Sequence, residues 1–221
     1  VTDGGYNSAF GNEAGAAITS GSSNTASGYQ ALDANTTGSG NVAIGSAALG
    51  ANTTASNNVA IGYNAAQVND TGSGMVVIGY RSGAALTAGS NLNTFVGYES
   101  GAAVTTGTAN TFIGSAAGDA TTTSTENTAV GDSSFSLNTT GGYNTAIGRN
   151  ALAANTTADH NTAVGRLALY GNTTGAYNTA IGGSALQATT TGANNVAVGY
   201  SAGDAITTAC CNTVVGSSAG T

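Results

Sequence analysis

The 221-residue sequence has no proline, no tryptophan and no lysine, and it carries one histidine, two cysteines and three arginines, Arg81, Arg149 and Arg166. Charged residues make up 6 % of the chain and the formal net charge is −7. Three scattered arginines on an acidic chain cannot neutralise a phosphate backbone, which excludes nucleic acid as a partner. Disorder maintained by self-repulsion needs far more charge than this. No apolar run approaches the length that crosses a bilayer, so membrane insertion is not expected. Two cysteines give no disulfide framework. Catalysis needs convergent titratable groups, and the ten acids lie scattered, so no enzymatic activity, metal or cofactor is expected.

What the chain does have is glycine, 35 residues of it, and a period. The glycine closing each Asn-x-x-x-Gly falls at Gly11, Gly28, Gly45, Gly62, Gly79, Gly97, Gly114, Gly131, Gly148, Gly165, Gly182, Gly199 and Gly216. The spacing is seventeen throughout, and one longer between Gly79 and Gly97. Asparagine opens each copy but the fifth, where Met75 stands. We number each copy from this anchor as position 0. A unit this short, with β-branched residues beside glycine corners, suits one coil of a parallel β-solenoid. The sequence thus predicts an all-β fold of thirteen 17-residue coils, with residues 1–221 forming a single repeat domain cut from a longer fibre.

Position 3 is Ile, Val or Phe in all copies but the second, where Ser27 stands, and it predicts a buried apolar ladder from coil to coil. Stacked anchor asparagines are placed to bond one another up their column. Position 2 points to the opposite face and includes Val77, Phe95, Phe112, Ala129, Ala146 and Ala163. A column of small apolar residues on an outer face is explained by packing against another copy of the chain; the other reading makes the coil wide and this face internal.

The core Asn41-Val42-Ala43-Ile44-Gly45, repeated at Asn58-Val59-Ala60-Ile61-Gly62, resembles the head repeat of trimeric autotransporter adhesins and the collar and shaft repeats of phage tail fibres. The resemblance covers the whole chain. It implies a left-handed β-roll, three copies of which join into a homotrimer on a virion or cell surface. The adhesin repeat is shorter than this one, and the added length here falls around the Asn-Thr-Thr-Gly corner. The tail-fibre repeats accommodate the longer unit better.

Several residues invite a chemical role. Asn35, Asn52, Asn69, Asn138, Asn155 and Asn172 head Asn-x-Thr acceptor patterns, all at position 11, and predict glycan rows should the source glycosylate. Tyr29, Tyr63, Tyr80, Tyr98 and Tyr200 recur at position 5, where an exposed aromatic row could stack on a cell-surface glycan or pack a corner. Tyr143, His160 and Tyr177 share position 16 on successive coils and predict a ring stack. Asp132, Arg149 and Arg166 share position 5 and predict a small ion-pair ladder. Thr fills position 12 in nearly every coil, a hydroxyl array that supports an alternative function as an ice-binding solenoid. Cys210 and Cys211, read as neighbours in a strand, point apart and predict either buried apolar residues or disulfides between chains. The leading expectation is an extracellular structural fibre, the trimeric shaft or head of a phage tail fibre or surface adhesin. A third possibility is a glycosylated self-assembled filament.

Overall fold

A computed structural model describes residues 5–87 and 89–220. Among them are thirteen strands of three residues each and no helix. The chain forms two compact units, Val1–Asn110 and Thr111–Thr221. The first holds β1 (Ser8–Phe10), β2 (Thr25–Ser27), β3 (Val42–Ile44), β4 (Val59–Ile61), β5 (Val76–Ile78) and β6 (Thr94–Val96). The second holds β7 (Thr111–Ile113), β8 (Thr128–Val130), β9 (Thr145–Ile147), β10 (Thr162–Val164), β11 (Thr179–Ile181), β12 (Val196–Val198) and β13 (Thr213–Val215).

Within each unit every strand pairs in parallel with the next one along the chain, at the repeat register, as in Ala43↔Ala60 and Ala146↔Ala163. Each unit is therefore a parallel β-solenoid, one strand per coil. The one longer step leaves the register intact, since Val76 still pairs with Thr94. The extra residue is absorbed between Thr87 and Ser90, where Gly89 has a φ of 87°.

The rest of each coil is turns, and their chemistry recurs as faithfully as the strand. Positions 6, 8 and 16 are left-handed, and most of the residues there are not glycine, as in Ala47, Leu49 and Asn57 or Asn150, Leu152 and His160. Each such residue costs on the order of 1 kcal/mol. Bonds between coils hold them there: the Ala47 amide donates to Tyr29 O at 2.8 Å and the Leu49 amide to Ala65 O at 3.1 Å. The invariant glycine at position 4 is stricter. Its φ lies between 125° and 145°, and a Cβ at Gly28 would sit 2.6 Å from Gly45 O on the next coil. No other residue fits that corner.

Of the two readings of position 2, the internal one holds, and the expected burial of position 3 does not. Position 2 points into the coil, so Val77, Phe95, Phe112, Ala129, Ala146 and Ala163 are at most 1 % exposed within this one chain. They are the core of their own coil and form no face for a second copy. Position 3 points outward, leaving Ile44, Ile113, Ile147 and Ile181 about 40 % exposed. The narrow interior explains the choice, because across from position 2 stand the buried position 8 leucines Leu32, Leu49, Leu152, Leu169 and Leu186. Where position 2 enlarges to Phe95 or Phe112, position 8 shrinks to Gly101 or Gly118. A Cβ on Gly101 would meet the Phe95 ring at 2.8 Å, and one on Gly118 the Phe112 ring at 2.5 Å.

Candidate functional site

Two asparagine columns run through the interior and share one acceptor. The anchor Asn24 donates through Nδ2 to Gly38 O at 2.9 Å, and Asn35 donates to the same oxygen at 3.0 Å. Asn41 and Asn52 do the same at Ala55 O, and Asn144 and Asn155 at Ala158 O. Each anchor also links coils, since its Oδ1 accepts the next anchor's backbone amide, as Asn144 Oδ1 does from Asn161 N at 2.9 Å.

This arrangement overturns the glycosylation reading. Asn35, Asn52, Asn69, Asn138, Asn155 and Asn172 are all 0 % exposed. The Nδ2 that would carry a sugar is instead a donor inside the coil. Asn52 Nδ2 reaches Asn35 Oδ1 at 2.8 Å and Asn155 Nδ2 reaches Asn138 Oδ1 at 2.9 Å. In two of the three coils between the two groups of acceptor patterns, those of Leu86 and Val104, the loss of asparagine has a packing cause. Where position 8 is glycine, as in Gly15, Gly83, Gly101 and Gly203, position 11 is Ile18, Leu86, Val104 or Ile206. A Cβ at Gly83 would lie 2.6 Å from Leu86 Cδ1 and one at Gly15 2.9 Å from Ile18 Cδ1, so the aliphatic chain fills the space that the missing Leu vacates. Asn follows Leu32, Leu49, Leu152 and Leu169, and an aliphatic residue follows four of the position 8 glycines, while Gly118 with Thr121 and Leu186 with Thr189 depart from the pairing.

The outer surface carries three features. First is the strand face, where positions 1 and 3 present rows mostly of Thr or Val and of Ile or Val, broken only by Ser8, Phe10 and Ser27, with no charge among them. On either side lie aromatic columns. Tyr29, Tyr63, Tyr80, Tyr98 and Tyr200 are exposed, and Tyr63, Tyr80 and Tyr98 stack on each other at 5.5 and 5.2 Å. Both faces of the Tyr80 ring are therefore covered, and it offers a sugar only its edge and hydroxyl. Tyr143, His160 and Tyr177 form the predicted stack, with centroids 4.9 and 5.0 Å apart and planes within 8°.

Polar rows complete the surface. The position 12 hydroxyls bond along the stack: Thr36 Oγ1 donates to Thr53 O at 3.1 Å, and Thr139, Thr156 and Thr173 each donate likewise to the next coil. Position 13, occupied by Thr37, Thr54, Thr140 and Thr157 among others, is left as the exposed hydroxyl row. Of the predicted ion ladder, Arg149 Nε lies 3.5 Å from Asp132 Oδ2, and a second exposed pair, Arg81 with Glu99 at 3.7 Å, shares position 6 on adjacent coils. Sequence reading missed the latter, although opposite charges at one position of neighbouring coils signal it. A shallow notch of about 230 Å³ opens beside Gly50, lined by Gln30, Asp33, Gln67 and Val68. Partial burial pushes the Asp33 carboxyl above its ordinary range, against the opposing pull of backbone amide donors. Among the described residues no cluster of three or more His, Cys, Asp or Glu is placed to hold a metal.

Cys210 and Cys211 are exposed, against the expectation of burial. They lie before β13 rather than in it, and Cys211 is left-handed at φ 65°. The alternation of an extended strand therefore does not apply, and the two sulfurs fall on one side, 3.1 Å apart.

The chain matches no protein-family model, no curated protein and no solved structure.

Proposed function

We propose that the chain is a structural element of an extracellular fibre, the shaft or head of a homotrimeric phage tail fibre or surface adhesin, giving reach and attachment. Its partners are copies of itself, with receptor contact, to a cell-surface glycan, on the outer polar and aromatic rows. The observation that carries this reading is the uncharged strand face. In the second unit Ile113, Ile147 and Ile181 stand about 40 % exposed between partly buried Val130 and Val164. An ordered apolar strip of this kind marks an interaction surface. Because most coils present the same kind of outward pair, Thr or Val beside Ile or Val, at one repeat spacing, the surface best matched to it in spacing is the same face of another copy. With position 2 buried, the outward residues available for such an interface are those at positions 1 and 3. A chain with no lysine and three arginines also gives trypsin few places to cut, which suits a protein exposed outside the cell.

Light scattering of the purified chain tests this. A mass near three times 21.0 kDa is expected. The paired substitution Ile113→Glu with Ile147→Glu places charge on the outward face without touching the interior, and should reduce the mass to one chain while the far-ultraviolet circular dichroism stays unchanged. A wild-type monomer, or large open-ended particles, would refute the closed trimer.

A further inference from the structure

We propose that Cys210 and Cys211 form a reversible vicinal disulfide, a redox modification site on the surface of the second unit. Three observations place the pair in readiness. The sulfurs are in contact at 3.1 Å, with Cys211 Sγ donating to Cys210 Sγ. Both side chains are exposed, so a small oxidant reaches them. The backbone between them is held on both sides: the Cys211 amide donates to Ala193 O at 3.2 Å, and Asn212 Nδ2 donates to Cys210 O at 3.1 Å and to Asn195 Oδ1 at 2.9 Å. The left-handed Cys211 is one instance of position 16, left-handed throughout the chain, so the repeat itself brings these side chains together.

The chemistry is thiol–disulfide exchange with a small-molecule disulfide. Cys211 keeps its proton in the bond to Cys210, which raises its thiol above the ordinary range and leaves Cys210 as the acceptor sulfur. Cys210 releases its proton to water and its thiolate attacks one sulfur of the small disulfide. That S–S bond breaks, and the departing thiolate takes up a proton. Cys211 then loses its proton and attacks Cys210 Sγ, forming the protein S–S bond and expelling the second small thiol. Two protein thiols are oxidised and one small disulfide is reduced to two thiols. Closure brings the sulfurs from 3.1 Å to a bond of about 2.05 Å. Adjacent residues have closer Cα atoms than an unstrained disulfide prefers, so the ring reopens readily with excess thiol.

The sequence has no other cysteine, so the assignment is unambiguous. The chain is treated with oxidised glutathione, then analysed by intact mass and by non-reducing electrophoresis. The expected product has lost two hydrogens, runs as a single chain and has no free thiol. Cys210→Ser and Cys211→Ser should each instead retain one glutathione. The folded chain should close the ring about tenfold faster than the chain in urea, since the fold holds the sulfurs together. Disulfide-linked dimers, a lasting glutathione adduct on the wild-type chain, unreacted thiols, or equal rates folded and unfolded would each overturn the proposal.

Discussion

Replacing Asn144 with alanine is the sharpest test of how the coils are joined. Asn144 Nδ2 contacts Ala158 O at 2.9 Å, Gly142 O at 3.0 Å and Asn127 Oδ1 at 3.2 Å, while Oδ1 accepts from Asn161 N at 2.9 Å. Most partners survive the loss with another bond. Ala158 O keeps Asn155, Gly142 O keeps the His160 amide, and Asn127 Oδ1 keeps the Asn144 amide. The Asn161 amide is the one stranded, and leaving a buried donor unmet costs about 1–3 kcal/mol. Adding about 1 kcal/mol net for the bonds lost on the Nδ2 side gives an expected destabilisation of about 3 kcal/mol. Urea unfolding followed by circular dichroism measures it, with Thr140→Ala on the exposed hydroxyl row as a control that should stay within about 0.5 kcal/mol of wild type. Asn144→Met should cost less than Asn144→Ala, because Met75 already stands at an anchor and is 1 % exposed there. A change below about 0.5 kcal/mol for Asn144→Ala would show that the interior amide column adds nothing net to stability.

Three further outcomes follow from the same geometry. Gly148→Ala, at φ 130° with its added Cβ 2.6 Å from Gly165 O, should cost about 4 kcal/mol or more, seen as loss of soluble folded protein, whereas Gly142→Ala should be tolerated because Ala176 and Ala193 occupy that position. Expressed in a glycosylating host, the folded chain should show the unmodified intact mass; sugar on Asn155 would contradict its burial. Asp33, whose carboxyl is raised by burial, favours the folded state while protonated and opposes it as pH rises through the carboxylate range. Asp33→Asn should therefore gain stability relative to wild type at pH 7 and lose that advantage near pH 3, and a difference that does not vary with pH would refute the assignment.

The period, the strand positions and the Tyr143–His160–Tyr177 stack were legible in the sequence because in-register stacking turns a repeat position directly into a spatial column. The direction of the side chains was not. Positions 2 and 3 are both apolar, so alternation alone cannot say which faces inward. Size settles it: a coil this short closes around alanine opposite leucine, or phenylalanine opposite glycine, and has no room for a row of isoleucines as well. The asparagines of position 11 misled for a related reason, since polar residues in a turn read as surface. Here the coil interior contains carbonyls that the side-chain amides reach. Strand alternation does not place the cysteine pair, because the backbone at Cys211 is left-handed.

Register has a consequence for how such a chain changes length. In the second unit Ala146 pairs with Ala163, so removing the segment from Thr145 to Asn161 would join Asn144 to Thr162 and leave each column with the kind of neighbour it had before. Deleting or duplicating one whole repeat is thus close to silent for folding, while losing a fraction of one shifts every later corner glycine out of its place. Copy number becomes a heritable dial that recombination between near-identical stretches can turn one coil at a time. The longer step beside Gly89 marks the kind of single-residue slip that the turn can take up but the strand cannot.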